Sequence, residues 1–122
     1  MGIERRRYPR VRADFGVKYK IKDSDSSPVK AVSVNISAGG IMMKISEKLA
    51  SDSLLELTIV LPPPYGTIDT LGRVVYVLEN YWEEYPPYRC GIEFRGLKEI
   101  DKKQLGEFVD EELKKLNWES WF

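Results

Sequence analysis

The sequence predicts a mainly β chain: a six-stranded antiparallel β-barrel followed by one C-terminal α-helix. Three observations carry that prediction. Short runs of alternating apolar and polar residues recur as far as Arg95, Gly, Pro, Asp and Ser clusters punctuate them, and the remaining chain switches to helical spacing.

Residues 1–12 are polar and arginine-dense, and Pro9 opposes a helix through them, so they are expected to form a flexible leader to a single domain spanning 13–122. From Asp14 the alternation is strict, with Phe15, Val17, Tyr19 and Ile21 on one face and Lys18, Lys20 and Lys22 on the other. Asp23 to Pro28 reads as a loop. Val32, Val34 and Ile36 then alternate with Ser33, Asn35 and Ser37; Gly39-Gly40 breaks this second strand, and Ile41 to Ile45 resumes as a third. Leu54 to Leu61 is a fourth apolar run, stopped by Pro62-Pro63-Pro64. Thr67 to Glu79 is a long fifth strand with Val74, Tyr76 and Leu78 on one face, and Tyr88 to Arg95 a sixth with Cys90, Ile92 and Phe94 pointing inward. The helix is expected over about 101–116: Asp101 to Gln104 reads as a capping signature, Ile100 can staple onto Leu105, and Leu105, Phe108, Val109, Leu113 and Leu116 form the apolar stripe.

Composition narrows the function classes. At 122 residues with 43% hydrophobic and 31% charged side chains, the chain has the makeup of one globular domain. It has no histidine, and its single cysteine can make neither an internal disulfide nor a thiolate metal site, so no enzyme or metal cofactor is expected. No apolar run reaches the length of a membrane span, which predicts a cytoplasmic protein without membrane insertion. The net charge is zero but unevenly spread: residues 1–30 carry nine Lys/Arg against four Asp/Glu. Basic charge gathered at one end suits a compact anion better than a long polyanion, so nucleic acid is not the expected partner.

Two segments ask for such an anion. Arg5, Arg6 and Arg10 lie in a run stiffened by Pro9, and guanidinium forks grip phosphate at two points and stack on bases. Alone, such a run is as readily a solvated leader. In the second segment Asn35 and Ser37 share one face of an extended chain, about 6.6–6.8 Å apart, with Ser33 on that face too. Gly39 and Gly40 beside them permit positive φ and close backbone approach; the plainer reading is a glycine turn with local hydrogen bonds.

In combination, Arg6-x-x-x-Arg10 ahead of the first strand and Asn35-x-Ser37-x-x-Gly40 between the second and third resemble the PilZ family. Gly72-Arg73-Val74-Val75-Tyr76, the later Cys90-Gly91-Ile92-Glu93-Phe94 and the terminal helix fit it as well, so the likeness runs from about Arg5 to Leu116. The resemblance implies a receptor for cyclic di-GMP, with no other cofactor. It assigns Arg6 and Arg10, with Arg5 as a third contact, to phosphate and guanine in a leader that wraps over the ligand. It assigns Asn35, Ser37 and Gly40 to the barrel side of the site, and Ser33, Arg73 and Gly91 to its rim. A protein partner would then read the ordered leader.

Two other readings compete. One is a ligand-independent adaptor of the same fold; the other, less favoured, is a small barrel that binds single-stranded nucleic acid, which the mostly aliphatic strands oppose. The aromatic cluster Tyr81, Trp82, Tyr85 and Tyr88 and the tail Trp118, Trp121 and Phe122 offer contact surfaces, the tail packing either on the barrel or on a second copy in a homodimer.

Overall fold

The computed structural model describes residues 10–12, 15–79 and 86–120, with 117–120 as backbone alone. Arg5, Arg6, the cluster Tyr81, Trp82 and Tyr85, and the tail aromatics Trp121 and Phe122 lie outside the described residues, as does the side chain of Trp118. The strands are β1 Val11–Arg12, β2 Gly16–Ile21, β3 Val29–Ile36, β4 Gly40–Ile45, β5 Leu54–Val60, β6 Thr67–Glu79 and β7 Tyr88–Arg95, and helix α1 runs Glu99–Ser120. Strands β2 to β7 close in the order β2-β3-β4-β7-β6-β5, each neighbouring pair antiparallel. This is the predicted six-stranded barrel with its C-terminal helix. Closure gives each of those strands a partner on both sides.

β1 pairs with the C-terminal end of β3, Val11 opposite Ile36 and Arg12 opposite Asn35, on the edge that β2 occupies lower down. Val11 is 2% exposed, so chain pairing begins ahead of position 13, because this valine belongs to the core. That core is the inward set of the alternating strands, including Val17, Tyr19, Ile41, Met43, Ile45, Leu57, Ile59, Cys90 and Ile92. α1 adds Leu105, Phe108 and Val109 over one mouth, where Phe108 meets Phe15 and Tyr65 edge-on at 5.6 and 5.7 Å. Each of those three helix side chains contributes roughly 1.5–3 kcal/mol by leaving water.

Two β-bulges break the alternation. Ser33 lies opposite Met43 and Asn35 opposite Met42, so Val34 is an extra residue in β3; Val74 lies opposite Ile92 and Tyr76 opposite Gly91, so Val75 is extra in β6. One inserted residue reverses the facing of everything after it. Ser33 therefore points inward, away from the Asn35 face: it is 7% exposed, its Oγ accepts from Phe15 N at 3.1 Å and donates to Phe15 O at 2.9 Å. Likewise Val74 does not share a face with Tyr76 and Leu78. Val77 packs on the core after the bulge, while Leu78 is exposed.

The helix start also differs from expectation. α1 begins at Glu99, so Asp101 is already helical, and Lys102 N donates to Lys98 O at 2.9 Å. Ile100 is 68% exposed and forms no staple. Gln104, expected in a capping role, instead accepts from Gly66 N through its Oε1 at 2.7 Å, tying α1 to the turn after the prolines.

Ser33→Ala removes both partners of the Phe15 backbone, and burial of those groups without replacement costs about 1–3 kcal/mol. Urea denaturation should show that loss.

Candidate functional site

The Asn35-x-Ser37-x-x-Gly40 segment is a tight turn between β3 and β4. Ser37 N donates to Gly40 O at 2.9 Å, Gly39 N donates to Ser37 Oγ at 3.1 Å, and Phe94 N donates to Gly39 O at 2.9 Å. The turn is thereby fixed to β7, and the backbone donors of Ser37 and Gly39 are already used. Gly39 and Gly40 do not take positive φ; Gly96 does, at 71°. Gly40 is required for a different reason: a Cβ there would sit 2.1 Å from the Ile92 carbonyl oxygen, so only glycine lets β4 approach β7 so closely.

Registration lines the outer wall up in rows. Arg12, Asn35, Met42, Gly91 and Tyr76 lie opposite one another in succession across β1, β3, β4, β7 and β6. The two bulges bring Asn35 and Tyr76 into this row. Next to it runs Gly40, Glu93 and Arg73. The Tyr76 ring lies across Gly91, where a Cβ would stand 2.2 Å from a ring carbon.

Above these rows is a shallow cavity of about 220 Å³. Arg10, Ser37 and Gly40 line it, as does Gly91. The structure thus brings the second arginine of the leader motif to the glycine turn. Met42, Tyr76 and Glu93 also line the cavity, and sequence reasoning missed them. Glu93 was legible from the inward set Cys90, Ile92 and Phe94, whose alternation sends Gly91 and Glu93 outward. Tyr76 was not, because the Val75 bulge has no signature in residue type.

Asn35 is not among the lining residues but adjoins Met42, with Nδ2 3.8 Å from the Met42 sulfur and a buried Oδ1 that has no partner among the described residues. Ser33 is excluded from the site by its inward facing. Arg73 lies behind Glu93 rather than in the cavity: its Nη1 donates to Asp52 Oδ1 at 2.5 Å, and its Nε stands 3.5 Å from Glu93 Oε1. The hydrogen bond to Asp52 and the neighbouring Glu93 raise its pKa further above the ordinary guanidinium value. Arg95 Nε reaches the same Glu93 oxygen at 2.8 Å.

Among the described residues, no group of three His, Cys, Asp or Glu side chains could hold a metal ion, and no helix is long and apolar enough to cross a membrane. Cys90 is fully buried and its thiol is pushed up to about 12 by desolvation.

The family model of the PilZ domain matches residues 4–111. The chain belongs to the PilZ domain family. Solved structures agree on the PilZ fold. The Bacillus subtilis inhibitor of motility MotI/DgrA superimposes with a TM-score of 0.76 at 26% identity, over 94% of this chain and 53% of that one. The PilZ domain of YcgR from Escherichia coli with c-di-GMP gives 0.72 at 15% identity, over 96% and 98%. The K. pneumonia MrkH–c-di-GMP complex gives 0.78 at 19% identity, over 96% and 56%. This chain spans about half the length of MotI/DgrA and MrkH. Among curated proteins no sequence match is found.

Two outcomes test this geometry. Gly40→Ala should lower stability by about 1–3 kcal/mol in thermal unfolding, since backbone rather than a yielding side chain blocks the new methyl. Cys90 should resist thiol reagents at pH 8 until the protein unfolds. Its folded pKa lies above the ordinary value of 9.0, so stability should hold below that pH and decline as pH rises from there towards about 12.

Proposed function

We propose that this PilZ chain is a cyclic di-GMP sensor, with a protein partner reading the ordering of its N-terminal leader over the bound ligand. The observation that carries the reading is the meeting of Arg10 with Ser37 and Gly40 at one cavity on the outer wall. Two structurally similar PilZ proteins, YcgR and MrkH, are described with c-di-GMP bound.

In this reading Arg10 clamps a phosphate, and Arg6 and Arg5 reach the ligand from the leader. Ser37 retains a hydroxyl proton to donate to a phosphate oxygen or base, since its Oγ accepts from Gly39. Asn35, next to Met42 at the edge of the cavity, reaches the ligand only if its side chain turns outward. Gly91 keeps the floor low. Charge-assisted bonds add about 1.5–3 kcal/mol each, enough for two or three to supply much of the roughly 8 kcal/mol of a micromolar complex. Ordering the leader opposes them by about 1–2 kcal/mol per residue fixed.

The pairing of β1 makes the transmission local. Val11 is locked in the core and β1 packs against α1, which gives the leader a fixed point next to the site. The partner would meet that leader and the adjoining surface, in the cytoplasm. A long nucleic acid is disfavoured as the ligand by Glu93 at the cavity and by zero net charge.

Titration calorimetry with cyclic di-GMP tests the proposal. Arg10→Ala and Arg6→Ala should each abolish measurable binding with little change in melting temperature, and Arg10→Lys should weaken it strongly because an ammonium forms no fork. Absence of heat with the intact protein would instead favour the ligand-independent adaptor.

A further inference from the structure

The cavity presents a difficulty. A doubly charged phosphodiester ligand is asked to settle beside Glu93, a carboxylate that lines the same space as Arg10. Like charges at such range repel, and the repulsion is relieved only if the carboxylate meets hydrogen-bond donors of the ligand rather than its phosphates.

Resting on the cyclic di-GMP reading, we propose that Glu93 is the residue that selects guanine, its carboxylate accepting from the N1–H and N2–H donors on the Watson–Crick edge of one base. Guanine presents these donors side by side, and a carboxylate presents two acceptor oxygens with room for about four bonds. Adenine places an acceptor at N1 and would set lone pair against lone pair. Hypoxanthine keeps N1–H but lacks the N2 amine.

The surroundings of Glu93 hold it ready for that task. Two guanidiniums meet the carboxylate at Oε1, Arg95 Nε at 2.8 Å and Arg73 Nε at 3.5 Å. Arg73 is in turn held by Asp52. Asp52 sits at a positive φ of 69° and is stitched to β6, its N donating to Val74 O at 2.8 Å while Val74 N donates to Ser53 O at 2.9 Å. The carboxylate is therefore fixed in position by two guanidiniums. Opposite it on β4 stands Gly40, and both residues line the cavity.

Calorimetry separates this role from a bystander charge by the sign of the effect. Glu93→Gln should weaken cyclic di-GMP roughly ten- to hundred-fold, the range one well-made base-edge pair discriminates, with a melting temperature close to that of the parent. If Glu93 only repels the phosphates, the same substitution tightens binding, and the proposal is overturned. A measurement needing no variant stands beside it. Cyclic di-IMP should bind the unaltered protein at least several-fold more weakly than cyclic di-GMP, and that difference should vanish in Glu93→Gln; equal affinity for the two ligands in the unaltered protein overturns the assignment. Failure of the unaltered protein to bind cyclic di-GMP at all sinks the sensor reading and this one with it. Binding that ignores both Glu93 and the N2 amine sinks this one alone.

Discussion

Facing on the barrel wall is set by two extra residues, Val34 in β3 and Val75 in β6, and the candidate site depends on both. Without them the period-two pattern would run uninterrupted from Ser33 through Asn35 and from Val74 through Tyr76. With them, Ser33 and Val74 go to the core side while Asn35 and Tyr76 go outward, flanking Met42 and Gly91 in one cross-strand row. The exposed positions of β6 past the bulge and the inward Ser33 are two consequences of the same local geometry. Bulges of this kind re-aim side chains next to functional sites at the expense of a paired residue.

Close approach of strands is the second condition. Gly40 lets β4 sit against Ile92 of β7, and Gly91 lets the Tyr76 ring lie flat on the wall; at both positions a methyl would stand about 2 Å from another atom. The cavity is therefore shallow and firmly floored. The polar atoms of the turn are largely committed to holding the turn itself: the Ser37 and Gly39 donors and the Gly39 acceptor are all engaged. The groups around the cavity not committed to the turn include side chains, Arg10 and Glu93 at its rim among them.

The charge pattern around the cavity is divided by function of position. Arg73, Arg95, Asp52 and Glu93 form a compact network on the wall, each charge compensated by a neighbour. Such partly exposed pairs add little stability, and their effect is to fix orientation. Arg10 stands across the cavity from this network, one residue ahead of a valine buried in the core. A guanidinium tethered that closely to a fixed point has little freedom to leave the cavity.

The sequence by itself determined the barrel, the helix and the family, because alternation, turn residues and short motifs are local properties of the chain. Cys90, Ile92 and Phe94 pointed inward as their spacing required. Tertiary structure alone decided the rest. Whether Ser33 faced core or ligand, whether Tyr76 was packing or floor, and what Gln104 bonded to depended on a bulge, a register and a contact between Gly66 and α1, residues 38 apart. The need for Gly40 was visible, but its cause lay across the sheet in the Ile92 carbonyl rather than in its own φ. Bulge placement and strand approach are settled by the closure of six strands around one core, a condition that no short window of residues carries.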